Sequence, residues 1–514
     1  MLHLPPASLF RPTALVVLSV FYVVLSGVKA VGQANDFSLP TDPLTHAAEL
    51  SAAVDDQSLN AIAPASADRL VAVGDVGVIL VSENAGRSWT RIRNGDPSSL
   101  SGLAFLSAEV GIAVGGRVGS FTRTSEATVI QTQDGGFNWK RLETDLPRLR
   151  GIQNQNGRLI AWGDYSVKHR SAVFVSVDQG MSWTAIPVVG VTHVRTAHQS
   201  VAGDLIVVDR SNRAHLRLQS GAVMELKSLQ DVESVHHSGR EWLAVGRRGK
   251  VLKSQDGQVW STVPLPLESS ERILCDWSSI AQVGQHIWVG GFPGSLLLHS
   301  KDLGNSWSRE AIEQSLPIHD ICFLDEARGW SVGPLGTIRA TRNGSNWFAQ
   351  RNADKGAGVL CLTPSIDAVP WAAMAGCAWD KGVTCAVQLM PLTDENREQG
   401  FLPSLETCLA DALGKVGVAQ ATSIVAAESG EQFDAEYLKQ RLHLALQAWR
   451  PSIVVVATDD GVDTWSMQAN SLLDAARMFG PSGLGGESGF PQELWKVEKV
   501  VQTVPVEQAQ YTER

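Results

Sequence analysis

The chain has 514 residues, 44% of them hydrophobic, which is too long for one ordinary hydrophobic core and predicts two or three domains. Its 43 lysines and arginines against 53 aspartates and glutamates give a net charge of −10, which excludes the basic footprint of a nucleic-acid-binding protein. The charge is uneven, because residues 361–514 hold 10 basic and 20 acidic residues and account for all of it.

The first predicted element is a targeting segment at residues 1–34. Arg11 precedes the apolar run ALVVLSVFYVVLSG, and the small residues Ala30 or Ala34 would mark a cleavage site. An uncleaved membrane anchor is the alternative, although the run is slightly shorter than the roughly 20 residues that span a bilayer. We therefore expect an exported protein of the periplasm or cell envelope, cleaved or anchored through this segment.

A polar turn that ends in tryptophan recurs along residues 50–352. Full copies such as TQDGGFNW and SKDLGNSW follow the spacing S/T-x-D/N-x-G-x-x-W, and SQDGQVW and TRNGSNW are shortened copies. Their acidic or amide residues and their tryptophans are Asn84, Asp134, Asp178, Asp256, Asp302 and Asn343, and Trp89, Trp139, Trp183, Trp260, Trp307 and Trp347.

A second pattern, alternating apolar residues closed by a glycine turn, precedes each polar turn. Segments such as LVAVG and WLAVG mark seven copies at a period of about 43 residues, which is typical of propeller blades of four strands. The fourth copy, DLIVVDRSNRAHLRLQS, keeps the strands and lacks the polar turn. The sequence therefore predicts a mainly β fold, a seven-bladed β-propeller at residues 50–352.

The residue types of the polar turn point to structure rather than catalysis. The Asp or Asn oxygen and the Ser or Thr hydroxyl can accept backbone N–H groups, and the glycine can take a positive φ. The tryptophan then buries a large apolar area between blades. We expect none of these aspartates or tryptophans to be catalytic.

This turn, paired with the A-V-G-x-x-G-x-I strand pattern, resembles the Asp-box propellers. Among these propellers, the order and spacing of the repeats are most similar to those of the photosystem II stability and assembly factor family. That resemblance implies an exported, non-catalytic assembly factor that binds a protein or peptide, such as a membrane-protein subunit, without a cofactor. The motif is weak for function, because sialidases and xyloglucan-degrading enzymes carry it too.

A glycoside hydrolase of that propeller type is the alternative function. A sialidase needs a tyrosine nucleophile with a glutamate and three arginines, and Tyr165 is the propeller's one tyrosine, without recognisable partners. Inverting glycosidases use two separated carboxylates, and Asp75 and Asp164 lie in equivalent glycine loops. The sequence leaves that pair open.

The loops after the second and fourth strands of each blade would share the face opposite the polar turns. Tyr165 lies in them, and arginine recurs in them, so the face could grip a carboxylate-rich or extended peptide. A solvated surface with scattered charge is the alternative. The arginines are Arg117, Arg123, Arg210, Arg213, Arg247 and Arg248.

The repeat stops before the acidic segment at residues 357–505, where strand-like and helix-like segments alternate and predict an α/β domain. We expect strands at 359–363, 383–390 and from Ser452, with helices at 371–380, 405–416 and 435–449. The segment LHLALQAWRPSIVVVATDDGVDTWSMQANSLLDAAR resembles the zinc-dependent LmbE-like deacetylases. That resemblance implies a degenerate enzyme without metal, because Ser365 and Ala368 stand at ligand positions and only Asp367 is kept.

Six cysteines occur, at positions 275, 322, 361, 377, 385 and 408, without a C-x-x-C pair. In an exported chain Cys377 and Cys385, the nearest pair, could form a disulfide. Buried free thiols are the simpler interpretation.

Overall fold

The structure, a computed structural model, describes residues 57–118, 124–312, 316–352, 355–363, 368–389, 418–423, 435–457, 497 and 499–502. The predicted targeting segment lies outside these residues. Within them, no helix is long and apolar enough to cross a membrane.

Seven antiparallel sheets of four strands each follow one another along the chain, which confirms the seven-bladed propeller. Blades 1 to 3 consist of β1 (Leu59–Pro64), β2 (Leu70–Gly74), β3 (Ile79–Ser82), β4 (Thr90–Ile92), β5 (Ser99–Phe105), β6 (Gly111–Val118), β7 (Ser125–Thr132), β8 (Trp139–Arg141), β9 (Leu149–Gln155), β10 (Arg158–Ser166), β11 (Ser171–Ser176) and β12 (Thr184–Ala185). Blades 4 and 5 consist of β13 (Val194–Gln199), β14 (Leu205–Asp209), β15 (Ala214–Arg217), β16 (Val223–Glu225), β17 (Val232–His237), β18 (Trp242–Gly246), β19 (Val251–Ser254) and β20 (Ser261–Thr262). Blades 6 and 7 consist of β21 (Asp276–Val283), β22 (His286–Phe292), β23 (Leu296–Ser300), β24 (Ser308–Ala311), β25 (Asp320–Phe323), β26 (Gly329–Val332), β27 (Ile338–Thr341) and β28 (Trp347–Arg351).

The A-V-G pattern ends in glycine because the backbone of the blade's first strand lies too close for a side chain there. A Cβ at Gly74, Gly163 or Gly246 would lie 2.0–2.1 Å from a carbonyl oxygen of the residue before the blade's first strand. No side chain fits at that distance. Short helices occupy the connections: the 3₁₀ turns η1 (Asp75–Gly77), η2 (Lys227–Leu229) and η3 (Pro334–Gly336), and α1 (Ser269–Arg272).

The ring closes where blade 7 meets blade 1. The Leu59 N–H donates to the Gly333 carbonyl at 3.1 Å, and the Ile62 N–H donates to Oδ2 of Asp320 at 3.0 Å. The indole N–H of Trp330 donates to the Ala85 carbonyl at 3.3 Å. Each blade uses four consecutive strands, so these contacts close the ring without a strand shared between the two ends of the chain.

The described residues after blade 7 form β29 (Val359–Thr363), α2 (Trp371–Lys381), β30 (Cys385–Leu389), β31 (Val418–Ser423), α3 (Ala435–Trp449), β32 (Ile453–Val456) and β33 (Lys499–Gln502). The five strands make one parallel sheet in the order β31-β30-β29-β32-β33. The predicted helix at 405–416 lies outside the described residues. The α/β domain as a unit, and its bounds, stay predictions.

Candidate protein-binding face

The antiparallel blades give the propeller two different faces. The polar Asp-box turns connect third and fourth strands on one face. The loops that follow second and fourth strands lie on the opposite one, which we call the loop face.

Each Asp-box turn is held by its own hydrogen bonds. In blade 6, the Ser300 hydroxyl donates to Oδ1 of Asp302 at 2.8 Å and accepts the Gly304 N–H at 2.7 Å. Oδ1 of Asp302 also accepts the Ser306 N–H at 2.8 Å, and hydrogen bonds from Ser306 lower the pKa of Asp302 to about 2. Gly304 has a φ of 82°, a conformation that favours glycine.

Four Asp-box tryptophans close this arrangement by donating their indole N–H to the turn glycine. These bonds join Trp139 to Gly136 at 2.7 Å, Trp183 to Gly180 at 3.0 Å, Trp260 to Gly257 at 2.9 Å and Trp307 to Gly304 at 3.2 Å. Among the described residues, the buried indole N–H groups of Trp89 and Trp347 have no acceptor. The four hydrogen bonds hold each of these tryptophans against its own turn.

The candidate arginines on the loop face are spread over blades 2, 4 and 5. Nη2 of Arg117 lies 3.1 Å from Oε2 of Glu126 and Nη2 of Arg213 lies 3.0 Å from Oδ2 of buried Asp209. Nε of Arg247 lies 2.7 Å from Oε1 of Glu233. These arginines therefore share their charge with acids of the same chain, and the structure does not bring them together as one free basic patch.

The other candidates differ in their surroundings. Arg210 and Arg248 are half-buried, and Arg248 has a positive φ of 54° and donates its N–H to Oδ1 of Asp276 at 3.0 Å. Tyr165 is 36% exposed at the end of β10. Arg123 lies outside the described residues.

Sequence reasoning missed two exposed apolar side chains in the loops that follow β10 and β12. Val167 follows β10 and is 83% exposed, and Val189 lies between blades 3 and 4 and is 79% exposed. Both belong to the loop face. The signal that could have found them is an apolar residue inside the loop segments SVKHR and PVVGV.

Asp164 is a structural carboxylate at the heart of the loop face of blade 3. Its Oδ1 lies 3.3 Å from Nε of Arg150, its Oδ2 lies 3.4 Å from Nε of Arg148, and the Ser125 hydroxyl donates to Oδ2 at 2.8 Å. Burial alone would raise the pKa of Asp164, but hydrogen bonding to His193 and the two arginine charges outweigh it and hold the pKa far below its usual value.

The lowered pKa of Asp164 argues against this residue as the catalytic acid of a glycosidase. A general acid must hold a proton near neutral pH, so its pKa must be raised rather than lowered. Asp164 therefore lacks the setting of a catalytic acid. Asp75, the proposed second carboxylate, accepts a hydrogen bond from Nδ2 of Asn60 at 2.8 Å.

The candidate zinc positions receive little structural description. Ser365 and Asp367 lie outside the described residues, and Ala368 is half-buried at the start of the segment leading to α2. Among the residues that are described, no three His, Cys, Asp or Glu side chains are grouped to hold a metal ion.

The described cysteines are free thiols in this structure. Cys361, Cys377 and Cys385 pack in one apolar cluster with Met374 of α2. Burial raises the pKa of Cys361 to about 12, and hydrogen bonding to Cys377 together with burial raises that of Cys385. Such thiols are weakly reactive.

Known proteins with similar sequences carry one name repeatedly. Residues 222–356 match the family model "Photosynthesis system II assembly factor YCF48". The "Photosystem II assembly lipoprotein Ycf48" of Synechococcus sp. (strain CC9902) is 26% identical over 41% of this chain and 64% of its own length. Its namesake in Nostoc sp. strain PCC 7120 is 34% identical over 32% of this chain and 51% of its own length.

A third relative, "Photosystem II stability/assembly factor HCF136, chloroplastic" of Oryza sativa subsp. japonica, is 28% identical over 24% of this chain and 30% of its own length. The chain thus spans less than two thirds of each of these relatives. Among solved structures, it is similar to "YCF48 bound to D1 peptide", at 16% identity and a TM-score of 0.45 over 56% of this chain and 92% of the other.

Proposed function

We propose that this chain is an exported, non-catalytic propeller scaffold that binds a protein or peptide and acts as an assembly factor for a membrane or envelope complex. The observation that carries the proposal is the family match at residues 222–356, which falls on the propeller itself. The names of the three relatives favour the same function.

The chemistry of the propeller supports binding rather than turnover. Asp164 is locked between arginines and its pKa is lowered, and the Asp-box carboxylates are committed to their own turns. Loops on a rigid propeller are suited to recognition, because the blades hold them in place. We therefore place the binding site on the loop face, with Tyr165 and the arginines Arg117, Arg210, Arg213, Arg247 and Arg248 as its candidate residues.

The test compares two double variants of the mature chain as baits for its own envelope fraction. Arg117→Ala with Tyr165→Ala changes the loop face, and Arg328→Ala with Phe348→Ala is the matched control, because Arg328 is ion-paired and Phe348 is 38% exposed outside that face. We expect the first variant to lose most capture of one retained protein, and the control to keep it. Loss in both variants, or in neither, would count against the loop face.

A screen of sialosides and β-glucans addresses the alternative enzyme. We expect no turnover with the full chain. Turnover that disappears in Asp75→Asn or Asp164→Asn would replace the scaffold proposal with a glycoside hydrolase.

For the C-terminal part we propose a degenerate deacetylase-like α/β domain without zinc. Ser365 and Ala368 offer no imidazole or carboxylate, and a site that lacks ligands loses most of its metal affinity. Elemental analysis of protein purified without chelator should find less than stoichiometric zinc. Bound zinc that is lost on Asp367→Ala or Asp460→Ala would show a rebuilt site.

A further inference from the structure

The helix α3 packs its apolar side chains against the loop face of the propeller. Leu316, in the connection between blades 6 and 7, and Leu335, in η3 of blade 7, are both 0% exposed. They belong to one apolar cluster with Leu442, Leu446 and Trp449 of α3. This seam is a continuous core, so its burial stabilises the packing of the two parts of the chain.

A second contact extends the seam over blades 5 and 6. Leu444 is buried in a cluster with Val251 of blade 5 and Trp277 of blade 6, and Tyr437 packs against the same cluster. Burial raises the pKa of the Tyr437 hydroxyl, while the charges of Arg441, Arg248 and Arg247 act to lower it. The helix therefore lies close to the 246–251 loop.

One buried arginine ties the helix to the propeller. Arg441 is 2% exposed, its Nη1 donates to the Leu274 carbonyl at 2.7 Å, and its Nη2 lies 2.6 Å from Oδ2 of Asp276. Its guanidinium carbon lies 4.6 Å from the centre of the Phe292 ring. A buried cation without such partners would be costly, so its setting is that of a fixed contact.

The same acid connects this contact to the candidate binding loop. While Oδ2 of Asp276 accepts Arg441, Oδ1 accepts the N–H of Arg248 at 3.0 Å. The Gly249 N–H donates to the Cys275 carbonyl at 2.6 Å. The loop at 246–251 is thus bonded to Cys275 and Asp276 at the start of blade 6, and Asp276 joins it to α3.

We infer that the C-terminal part is a built-in occupant of the loop face over blades 5 to 7, which takes Arg247 and Arg248 out of the candidate partner residues, and that this chain takes its protein partner on the loop face of blades 1 to 4. The choice of partner surface rests on the proposed function. Among the described residues on that side, Tyr165, Val167 and Val189 are exposed. The partner is the protein or peptide of the proposed function, and these three side chains would add apolar contacts beside the polar groups of the loops.

The occupancy is tested by hydrogen–deuterium exchange of the full chain. Arg441→Ala should speed exchange at residues 246–251, 272–276 and α3 by about tenfold or more, because a buried charge contact is lost. Exchange in blades 1 to 4 should stay as in the wild type. Arg328→Ala, which removes an exposed ion pair with Asp325 on the other face, is the matched control and should change neither region. Arg441→Lys should restore part of the protection, and unchanged exchange in blades 1 to 4 shows that Arg441→Ala is folded.

Two exchange results would overturn the occupancy: wild-type rates in Arg441→Ala, or an equal rise across all seven blades while Arg441→Lys behaves normally. Because this measurement needs no partner, it separates the inference from the proposed function.

The partner surface is tested by placing p-benzoylphenylalanine at Val167 or Arg248 of the full chain in its native envelope. We expect position 248 to cross-link to α3 of the same chain and position 167 to cross-link to a second protein. A second protein attached at position 248, or the absence of any adduct at 167 when the loop-face bait captures a partner, would contradict the assignment to blades 1 to 4.

Discussion

At the scale of single residues, buried polar groups fix how neighbouring blades meet. Asp320 is the clearest case, because its carboxylate accepts the N–H groups of Ile62 and Ile321 at 3.0 and 2.9 Å and the Ser279 hydroxyl at 3.2 Å. It thereby touches blades 1, 6 and 7 at the closure of the ring. Burial nevertheless raises its pKa to about 6.

This pKa predicts a pH-dependent stability. Since the folded-state pKa of about 6 exceeds the ordinary value of 3.8, protonation of Asp320 favours the folded state. The contribution is fully present below pH 3.8 and is lost as the pH rises through 6. The unfolding free energy of the wild type relative to Asp320→Asn should therefore increase from pH 7 to pH 4, by up to about 1.4 kcal/mol for each pH unit within that window. Melting temperatures of the two proteins across this pH range measure the difference. A difference that is constant with pH would contradict it.

The Asp-box carboxylates give a second residue-scale prediction. Asp302→Ala leaves the N–H groups of Asn305 and Ser306 without their acceptor and should lower the unfolding free energy by about 1 kcal/mol. Asp302→Asn should cost less, because an amide oxygen accepts the same bonds, as Asn84 and Asn343 do in blades 1 and 7. Urea unfolding midpoints of the two variants measure the difference. Equal losses would show that the charge, rather than the acceptor, matters.

At the scale of strands and turns, the blades share one pattern, and single blades depart from it with different local hydrogen bonds. Blade 4 has no Asp-box, and Asp209 stands where other blades place the glycine that ends the second strand. Its buried carboxylate accepts the N–H groups of Ser211 and Arg213 at 2.9 and 3.0 Å. The Asp209 side chain thus holds the loop that follows the second strand of blade 4, on the face opposite the Asp-box turns.

The Asp-box tryptophans predict a difference between otherwise similar hairpins. Trp183→Phe removes the 3.0 Å bond to the Gly180 carbonyl, whereas the Trp347 indole N–H has no acceptor among the described residues. Trp183→Phe should therefore destabilise the chain by about 1 kcal/mol more than Trp347→Phe, although both lose similar apolar area. Thermal melting of both variants is the measurement. A larger loss at Trp347 would show that packing outweighs this bond.

The sequence predicted the elements that repeat and missed the contacts that do not. Period, glycine and Asp-box spacing predict seven blades, because each blade repeats the same local physics. The Arg441–Asp276 pair joins residues 165 positions apart, so no local pattern announces it. Asp164 reads as an exposed loop acid in the sequence, and only folding places Arg148 and Arg150 around it.

At the scale of the whole molecule, the seam between propeller and C-terminal part decides whether the chain behaves as one body. Two apolar clusters of the C-terminal part can be compared. One includes Leu442 with Leu316 and Leu335 of the propeller, and the other includes Met374 with C-terminal residues alone. The first couples the two parts and the second does not.

Matched cavities in these clusters give the last prediction. Leu442→Ala and Met374→Ala each empty a site that is at most 1% exposed, and each should cost about 2–5 kcal/mol locally. Because Leu442 packs on Leu316 and Leu335, its loss should also speed hydrogen exchange at residues 292–296 and 316–318 on the loop face. Met374→Ala should speed exchange only around α2 and β30, since no propeller residue belongs to its cluster. If both variants left the propeller loops at wild-type rates, the seam would add no stability to the loop face, and the two parts would unfold independently.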